Sequence, residues 1–123
     1  MRGTLAQDLG DASATLLLTL YLRAMESQRQ DALIKDGRAV ALVNKLSGDG
    51  LYDFGAMSSL PLSEDNKLAI ILRNREFDRC ARTFIARCPK TVVVHIGCGL
   101  DTRYERVVGH DSEVEWYDLD LPQ

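Results

Sequence analysis

Two glycines directly after an apolar run are the first residues of this sequence whose types and spacing could support chemistry. Gly97 and Gly99 flank Cys98 and follow the β-branched run at residues 92–96. Glycine lets a backbone turn sharply and approach a ligand closely, and a helix that follows offers unpaired N–H groups. The pattern predicts a ligand-binding turn, and a tight strand-to-helix turn without a ligand is the alternative interpretation.

Two acidic residues stand about twenty positions further on. Asp118 and Asp120 lie 118 − 97 = 21 and 120 − 97 = 23 residues past Gly97. A carboxylate at this distance can accept hydrogen bonds from both hydroxyls of a ribose. Side chains alternate along a strand, so both carboxylates lie on the same side, and this pattern does not show which of them would bind the ribose. Asp120 is nearer the carboxyl edge of the sheet, where ligands bind. Two solvated carboxylates at a strand end are the alternative.

A third candidate, Arg73, lies on a segment that predicts a helix. It precedes Phe77 by four residues and Phe84 by eleven, so it shares their apolar stripe. A guanidinium on such a stripe needs a partner. The Arg73 guanidinium either reaches solvent at the end of its aliphatic side chain, pairs with a neighbouring acid, or binds the carboxylate of a ligand through two nitrogens.

Other kinds of site are disfavoured by the sequence. Thr102 stands where the third glycine of a dinucleotide fingerprint is due, which argues against a nicotinamide-linked oxidoreductase. The three cysteines have neither C-x-x-C spacing nor a histidine at zinc-finger distance, so we expect reduced thiols and no metal. No catalytic base can be named, because His95 lies in a predicted strand, where histidine is more often an interior residue.

The elements that must position these residues follow from periodicity and end signals. Helices are predicted over residues 12–29, capped by Asp11, over 38–46, and from the cap Ser63 to a stop before Pro89. Residues 47–63 are predicted as a loop, and its apolar side chains either form part of a lid or simply pack. These side chains are Tyr52, Phe54 and Met57.

The third helix has a predicted apolar face and a predicted solvated face. The apolar face comprises Phe77, Ala81, Phe84, Ile85 and Cys88. The solvated face comprises Arg75, Asp78, Arg79 and Arg82, with an ion pair expected between Asp78 and Arg82 at four-residue spacing.

After the third helix the pattern changes to strand, glycine turn, short helix and strand. Residues 92–96 and 114–119 are the strands, 102–108 the helix and 109–112 a turn, which is the opening of an α/β nucleotide-binding sheet. The continuous apolar run at 92–96 predicts a parallel strand covered on both faces. Two such strands do not make a stable open sheet, so we expect an N-terminal portion of a larger fold, or another chain that completes the sheet.

Composition excludes several classes of partner. The chain has 123 residues and a formal net charge of −3, which gives no electrostatic reason to bind nucleic acid. No apolar run approaches the ~18 residues of a membrane span. With no secretion signal expected and reduced cysteines, the expected location is the cytoplasm.

Three segments resemble the leucine carboxyl methyltransferase family, and more closely its branch of polyketide-type O-methyltransferases. They are ILRNREFD at residues 71–78, VVHIGCGLDTR at 93–103 and WYDLDLP at 116–122, and residues 19–36 also resemble the helical start of that family. The resemblance covers nearly the whole chain but only about the first half of a usual member.

The resemblance implies a class I, Rossmann-like methyltransferase fold that binds S-adenosyl-L-methionine, truncated after its second strand and preceded by an all-helical N-terminal segment. Residues 1–62 would be the helical segment and loop, a cap or lid, and residues 63–123 the incomplete start of the Rossmann-like domain.

Site residues are also implied by the resemblance. Arg73 matches the arginine that holds the methionine carboxylate, Gly97 and Gly99 match the loop against the cofactor, and Asp120 matches the acid that takes the ribose. Asp101 matches a further acid of the cofactor site, expected to orient the loop.

Two basic residues have less direct parts in that comparison. Arg103 is expected to orient the loop together with Asp101, and Arg23 matches a basic residue near the cofactor.

The implied activity is methyl transfer to a carboxyl or hydroxyl oxygen of a small molecule or a protein terminus. The alternative is a non-catalytic fragment that serves as an interaction or assembly module, as a homo-oligomer or with a partner chain that completes the sheet.

Overall fold

Five helices and two strands make up the described fold. The computed structural model describes residues 11–109 and 112–122, with side chains from residue 14 onward. In chain order the elements are α1 (Asp11–Ser27), α2 (Gly37–Gly48), a short 3₁₀ helix (Phe54–Ser59), α3 (Glu64–Arg87), β1 (Val92–Ile96), α4 (Arg103–Val107) and β2 (Glu115–Leu119). None of the helices within these residues combines the length and the apolarity that a membrane span requires.

Side-chain caps set the starts of α2 and α3, and the cap of α3 is the predicted one. The Asp36 carboxylate accepts the Ala39 N–H at 2.9 Å and begins α2. The Ser63 hydroxyl accepts the Asn66 N–H at 3.2 Å and begins α3, which ends before Pro89. The prediction that the Asp11 side chain caps α1 lies outside the described side chains, as do His110 and Asp111 of the predicted turn.

The predicted loop after α2 contains the 3₁₀ helix, which packs into the main core. Phe54 and Met57 are buried, and the Phe54 ring stacks on Tyr21 of α1 at 5.7 Å between centroids. The buried core consists of Leu17, Leu20, Ala24, Ala39, Val43, Phe54 and Met57. The segment is therefore a packed loop that fixes α1 against α2.

The face of α3 that is buried differs from the prediction. Ile71, Asn74 and Asp78 are buried, at spacings of three and four, whereas Phe77 and Phe84 are 57% and 53% exposed. The prediction was wrong because polar side chains on a helix are buried when partners from elsewhere satisfy them, and such partners cannot be recognised from the period of one helix.

The two strands pair in parallel, as predicted, in the register Val92↔Glu115 to Ile96↔Leu119. On one face His95 and Trp116 are partly buried, and the Trp116 ring meets the Tyr104 ring of α4 edge-on at 5.9 Å. The other face is exposed along both strands at Val92, Val94, Ile96, Tyr117 and Leu119. The expectation that β1 is covered on both faces is therefore wrong within the described residues.

Candidate functional site

The glycine turn follows β1 directly and requires its glycines. Gly97 and Gly99 have φ angles of +67° and +50°, in the left-handed region where a side chain is strained. The Gly97 N–H donates to the Leu119 carbonyl at 2.8 Å. This bond fixes the turn, residues 97–101, which we call the glycine loop, to the end of β2.

Gly99 is also required by its neighbour from the helical segment. A Cβ atom placed on Gly99 would lie 2.3 Å from Leu16 Cδ2, whereas one on Gly97 would meet no atom of the described residues within 4 Å. Helix α1 therefore packs directly on the glycine loop, and the helical segment forms part of the site.

The two acidic candidates at the end of β2 have different partners. The Asp120 carboxylate accepts the Gly99 N–H and, at 2.7 Å, the Leu121 N–H. The Asp118 carboxylate accepts the Trp116 indole N–H at 2.8 Å and lies 3.1 Å from His95 Nδ1. Of the two, Asp120 is therefore the one in contact with the glycine loop.

A cleft of about 470 Å³ opens beside this loop. Arg73, Gly97 and Asp101 line it, and Gly99 and Asp120 join it through the glycine loop without lining it. Arg73 is exposed and has no hydrogen bond or ion pair to any residue that the structure describes. The sequence alternative of a neighbouring acid as its partner is therefore absent from the described residues, and within these residues the guanidinium is available to an anionic group.

A cluster of largely buried charges, the ion network, adjoins the cleft. It consists of three arginines and three aspartates: Arg23, Arg103, Arg106, Asp36, Asp78 and Asp101. Among the described residues, no buried side-chain nitrogen or oxygen lacks a hydrogen bond. Equal numbers of opposite charges and complete hydrogen bonding are what burial of such groups requires.

Arg106 lies at the centre of the ion network. Its guanidinium binds both oxygens of Asp78, at 2.7 and 2.9 Å, and contacts Asp36 at 2.8 Å and Asp101 at 2.9 Å. Burial disfavours its charged form, but the Asp78 hydrogen bonds and the charges of Asp101 and Asp36 outweigh burial and raise the pKa of Arg106. The side chain is 2% exposed.

Asp36 connects the start of α2 to the glycine loop. It accepts bonds from Arg23 Nε at 3.0 Å and from the Thr102 hydroxyl at 2.6 Å. Burial favours its neutral form, but the bonds from Thr102 and the Ala39 N–H, with the charges of Arg106 and Arg23, lower the pKa of Asp36.

Arg23 lines the cleft and touches the glycine loop. Its Nη2 donates to the Leu100 carbonyl at 2.8 Å. Burial lowers its pKa, against the opposing charges of Asp101 and Asp36. The residue expected to lie near the cofactor is thus placed at the cleft, held by Asp36.

Arg103 contacts Asp101, as expected of a pair that orients the loop, at 3.0 Å. It also donates to Asp78 at 2.9 Å and to His95 Nε2 at 2.9 Å. Since Nε2 accepts from Arg103, we assign the neutral histidine with its proton on Nδ1, facing Asp118.

The predicted ion pair between Asp78 and Arg82 is absent. Asp78 is buried and binds Arg103 and Arg106, and Arg82 donates instead to the Arg106 carbonyl at 2.7 Å. The prediction treated Asp78 as solvated because both partners come 25 and 28 residues later in the chain.

Sequence reasoning missed Asp36, Asp78 and Arg106 as parts of the site. One signal was present: Asn74 and Asp78 continue the spacing of Ile71 along α3, so polar residues occupy a regular helical face. Arg103 and Arg106 are likewise three apart, on one side of a short helix.

Cys98 has no sign of an activated thiol. Burial, then the charges of Asp118 and Asp120, raise its pKa, whereas a reactive cysteine needs a lowered one. Cys98 is a small residue that fits the turn.

The contact between Gly99 and Leu16 can be tested by a set of alanine substitutions. Gly97→Ala should lower the free energy of unfolding by about 1–2 kcal/mol through the left-handed backbone alone. Gly99→Ala should lower it further, by roughly another 1–3 kcal/mol, because Leu16 must move. Urea denaturation measures both values, and the excess for Gly99→Ala should disappear in a Leu16→Ala background. Equal losses for the two glycine variants would contradict the packing of α1 on the loop.

The lowered pKa of Asp36 predicts a dependence of stability on pH. Asp36→Asn should lower the free energy of unfolding by about 3 kcal/mol at pH 7, because Arg23 and Arg106 lose a buried counter-charge. A carboxylate whose pKa is lower in the folded state stabilises the fold at pH values above its unfolded-state pKa of about 3.9. This stabilisation is lost as the pH falls through the folded-state pKa. The difference between wild type and variant should therefore shrink below about pH 4 in urea titrations from pH 7 to pH 3.

The matched control for this titration is Asp49→Asn, on an exposed residue. It should change the free energy of unfolding little at any pH. A difference between wild type and Asp36→Asn that stayed constant from pH 7 to pH 3 would show that the charge of Asp36 does not stabilise the fold.

Comparison with known proteins identifies the family. The chain is 34% identical over 108 residues to the tetracenomycin polyketide synthesis O-methyltransferase TcmP of Streptomyces glaucescens, a match that covers 88% of this chain and 37% of that protein. It is 28% identical over 115 residues to the S-adenosyl-L-methionine-dependent methyltransferase dpfgK of Gibberella zeae, covering 91% of this chain and 38% of that protein. The chain therefore spans under two fifths of the length of these relatives.

No solved structure matches the chain. The family model for leucine carboxyl methyltransferase matches residues 16–123, which include most of α1, the glycine loop and the ion network. S-adenosyl-L-methionine is the cofactor of this family. On this match, the chain belongs to the leucine carboxyl methyltransferase family.

Proposed function

We propose that this chain carries the cofactor-binding part of an S-adenosyl-L-methionine-dependent O-methyltransferase. The fold proposed for it is the class I, Rossmann-like one, with residues 63–123 as its start and residues 1–62 as a helical cap. The observation that carries the proposal is the guanidinium of Arg73, without a partner among the described residues, in one cleft with Gly97 and Asp101.

The residues of the cleft fit the chemical parts of this cofactor. Arg73 offers two parallel N–H donors to a carboxylate, and the exposed carboxylate of Asp120, beside the loop, can accept from ribose hydroxyls. Phe77 and Val94 give the cleft an apolar wall. Its volume of about 470 Å³ lies in the range of small-molecule sites, about 300–1,000 Å³.

The protein's own contribution is binding and orientation. When bound, the cofactor supplies a methyl group on a sulfonium, which is an electrophile. Arg73 would hold the carboxylate end, and the glycine loop would allow close approach of the backbone. Asp101, fixed by Arg103 and Arg106, would keep the loop in place. Holding a reactant in one orientation is the main source of rate in such a transfer.

The described residues favour an acceptor that is already ionised. Among the described residues, His95 is the histidine that lines the cleft, and its two ring nitrogens are already engaged by Arg103 and Asp118. A carboxylate acceptor is ionised at neutral pH and needs no base, whereas a hydroxyl acceptor would need a base other than His95.

The Streptomyces relative is named as an O-methyltransferase, which supports oxygen as the acceptor atom. We therefore propose a carboxyl or hydroxyl oxygen of a small molecule or a protein terminus. The net charge of −3 favours these over nucleic acid. The three free cysteines accord with a cytoplasmic location.

Isothermal titration calorimetry with S-adenosyl-L-methionine and S-adenosylhomocysteine tests the proposal. Arg73→Gln should weaken binding of both ligands by roughly 10- to 100-fold, as expected when a hydrogen-bonded ion pair is lost. Its thermal unfolding should not change, because Arg73 is exposed and makes no bond to the described part of the chain. Arg75→Gln, two residues along the same helix and also exposed, is the control and should bind like wild type. No heat with either ligand on folded wild-type protein would refute the proposal.

A second candidate function is supported by the exposed sheet face. Val92, Val94, Ile96, Tyr117 and Leu119 expose apolar side chains along both strands, and such patches mark interaction surfaces. We propose as the alternative a non-catalytic module whose sheet is completed by a second copy or a partner chain. Light scattering, together with the calorimetry above, separates the two candidate functions. The interaction module predicts a stable oligomer that does not bind the cofactor, and a monomer that binds the cofactor contradicts the module.

A further inference from the structure

Arg106 joins three segments that are far apart in the chain. Asp36 stands at the start of α2, Asp78 in the middle of α3, and Asp101 in the glycine loop. The single guanidinium at the far end of α4 contacts all three. Its position therefore fixes the distance between the helical segment, α3 and the loop.

The contact with Asp101 reaches the backbone of the glycine loop. The Asp101 N–H donates to the Cys98 carbonyl at 2.9 Å, so the carboxylate and the turn of the loop belong to one rigid unit. Thr102, the next residue, donates to Asp36 and accepts from Arg106 at 3.1 Å. Arg106 thus holds the loop through Asp101 and Thr102, whereas α1 contacts the loop through Leu16 and Arg23.

We propose that Arg106 is a positioning residue that keeps the glycine loop in its ligand-ready conformation. The further consequence, that it sets the affinity for cofactor, depends on the function proposed above. Arg106 does not line the cleft, so it acts through Asp101 and Thr102 and does not touch the ligand.

A charge alone does not perform this role. Arg23 and Arg103 already give Asp36, Asp78 and Asp101 a cationic neighbour. What Arg106 adds is a planar fork that binds Asp78 through two nitrogens while its remaining nitrogen reaches the other two acids. A lysine would keep the charge but cannot form this fork.

The test compares Arg106→Lys with wild type by hydrogen–deuterium exchange of the unliganded protein and by titration with S-adenosylhomocysteine. We expect exchange of the amides of residues 97–102 to speed up at least tenfold, while amides in the middle of α1 keep their rates. We expect the affinity to fall at least tenfold. Arg79→Lys is the matched control, because Arg79 pairs with Glu76 on the exposed side of α3, and it should match wild type in both measurements.

The exchange rates decide the proposal even if no ligand binds. Wild-type protein that bound no S-adenosylhomocysteine would refute the proposed function, whereas unchanged exchange at residues 97–102 in Arg106→Lys would refute the positioning role. A merely structural role predicts faster exchange throughout the fold in proportion to lost stability, and that result would also refute it.

A second variant protects the test against loss of folding. Asp78→Asn weakens the anchor of Arg106 in α3 and substitutes no residue that lines the cleft, although Arg103, which lines it, also loses an ion pair with Asp78. It should speed exchange of the same amides in the same direction. If Arg106→Lys fails to fold, unchanged exchange at residues 97–102 in folded Asp78→Asn overturns the proposal.

Discussion

The burial of the Arg106 guanidinium is the constraint on which the arrangement of this fold depends. An arginine that is 2% exposed is costly unless acids surround it with good geometry. Here those acids come from α2, α3 and the glycine loop, and Arg106 itself comes from α4. The charge can be satisfied only when all four segments are assembled, so the ion network favours one arrangement over others that would bury the same apolar residues. The helical segment is consequently bound to the glycine loop by charge as well as by the packing of Leu16.

Signals that act over a few residues allowed the elements to be predicted. Ser63 and Pro89 set the ends of α3, and Asp36 begins α2 through a hydrogen bond three residues away. The change from a helical to a strand pattern near residue 92 predicted β1, and the glycine spacing predicted the turn that follows it. Each of these depends on contacts that the local sequence contains, which is why the structure agrees with them.

Contacts between distant residues could not be predicted in the same way. Asp78 was interpreted as solvated because nothing within one helical turn identifies Arg103 or Arg106 as its partners. The packing of Leu16 on Gly99 joins residues 83 positions apart, and it depends on the crossing of α1 over the loop. Asp118 and Asp120 look equivalent by strand period, yet their hydrogen-bond partners differ. Asp120 accepts from the Gly99 N–H of the glycine loop, and Asp118 accepts from the Trp116 indole N–H. The local sequence already made Arg73 and Asp120 candidates but left their roles open, and the resemblance to a family favoured the cofactor-binding role for both.

Two sets of exposed apolar residues differ in whether a ligand in the cleft could cover them. Phe77, Val94 and Ile96 line the cleft, and Ile96 is 80% exposed; a ligand in the cleft would cover this group. Phe84 and Leu119 are about half exposed and do not line it, so no ligand there would shield them from water. Leu119 lies on the sheet face that Val94 and Ile96 share, so this face continues from the wall of the cleft along both strands. A protein that covered this face would therefore also lie against the wall of the cleft that Val94 and Ile96 form.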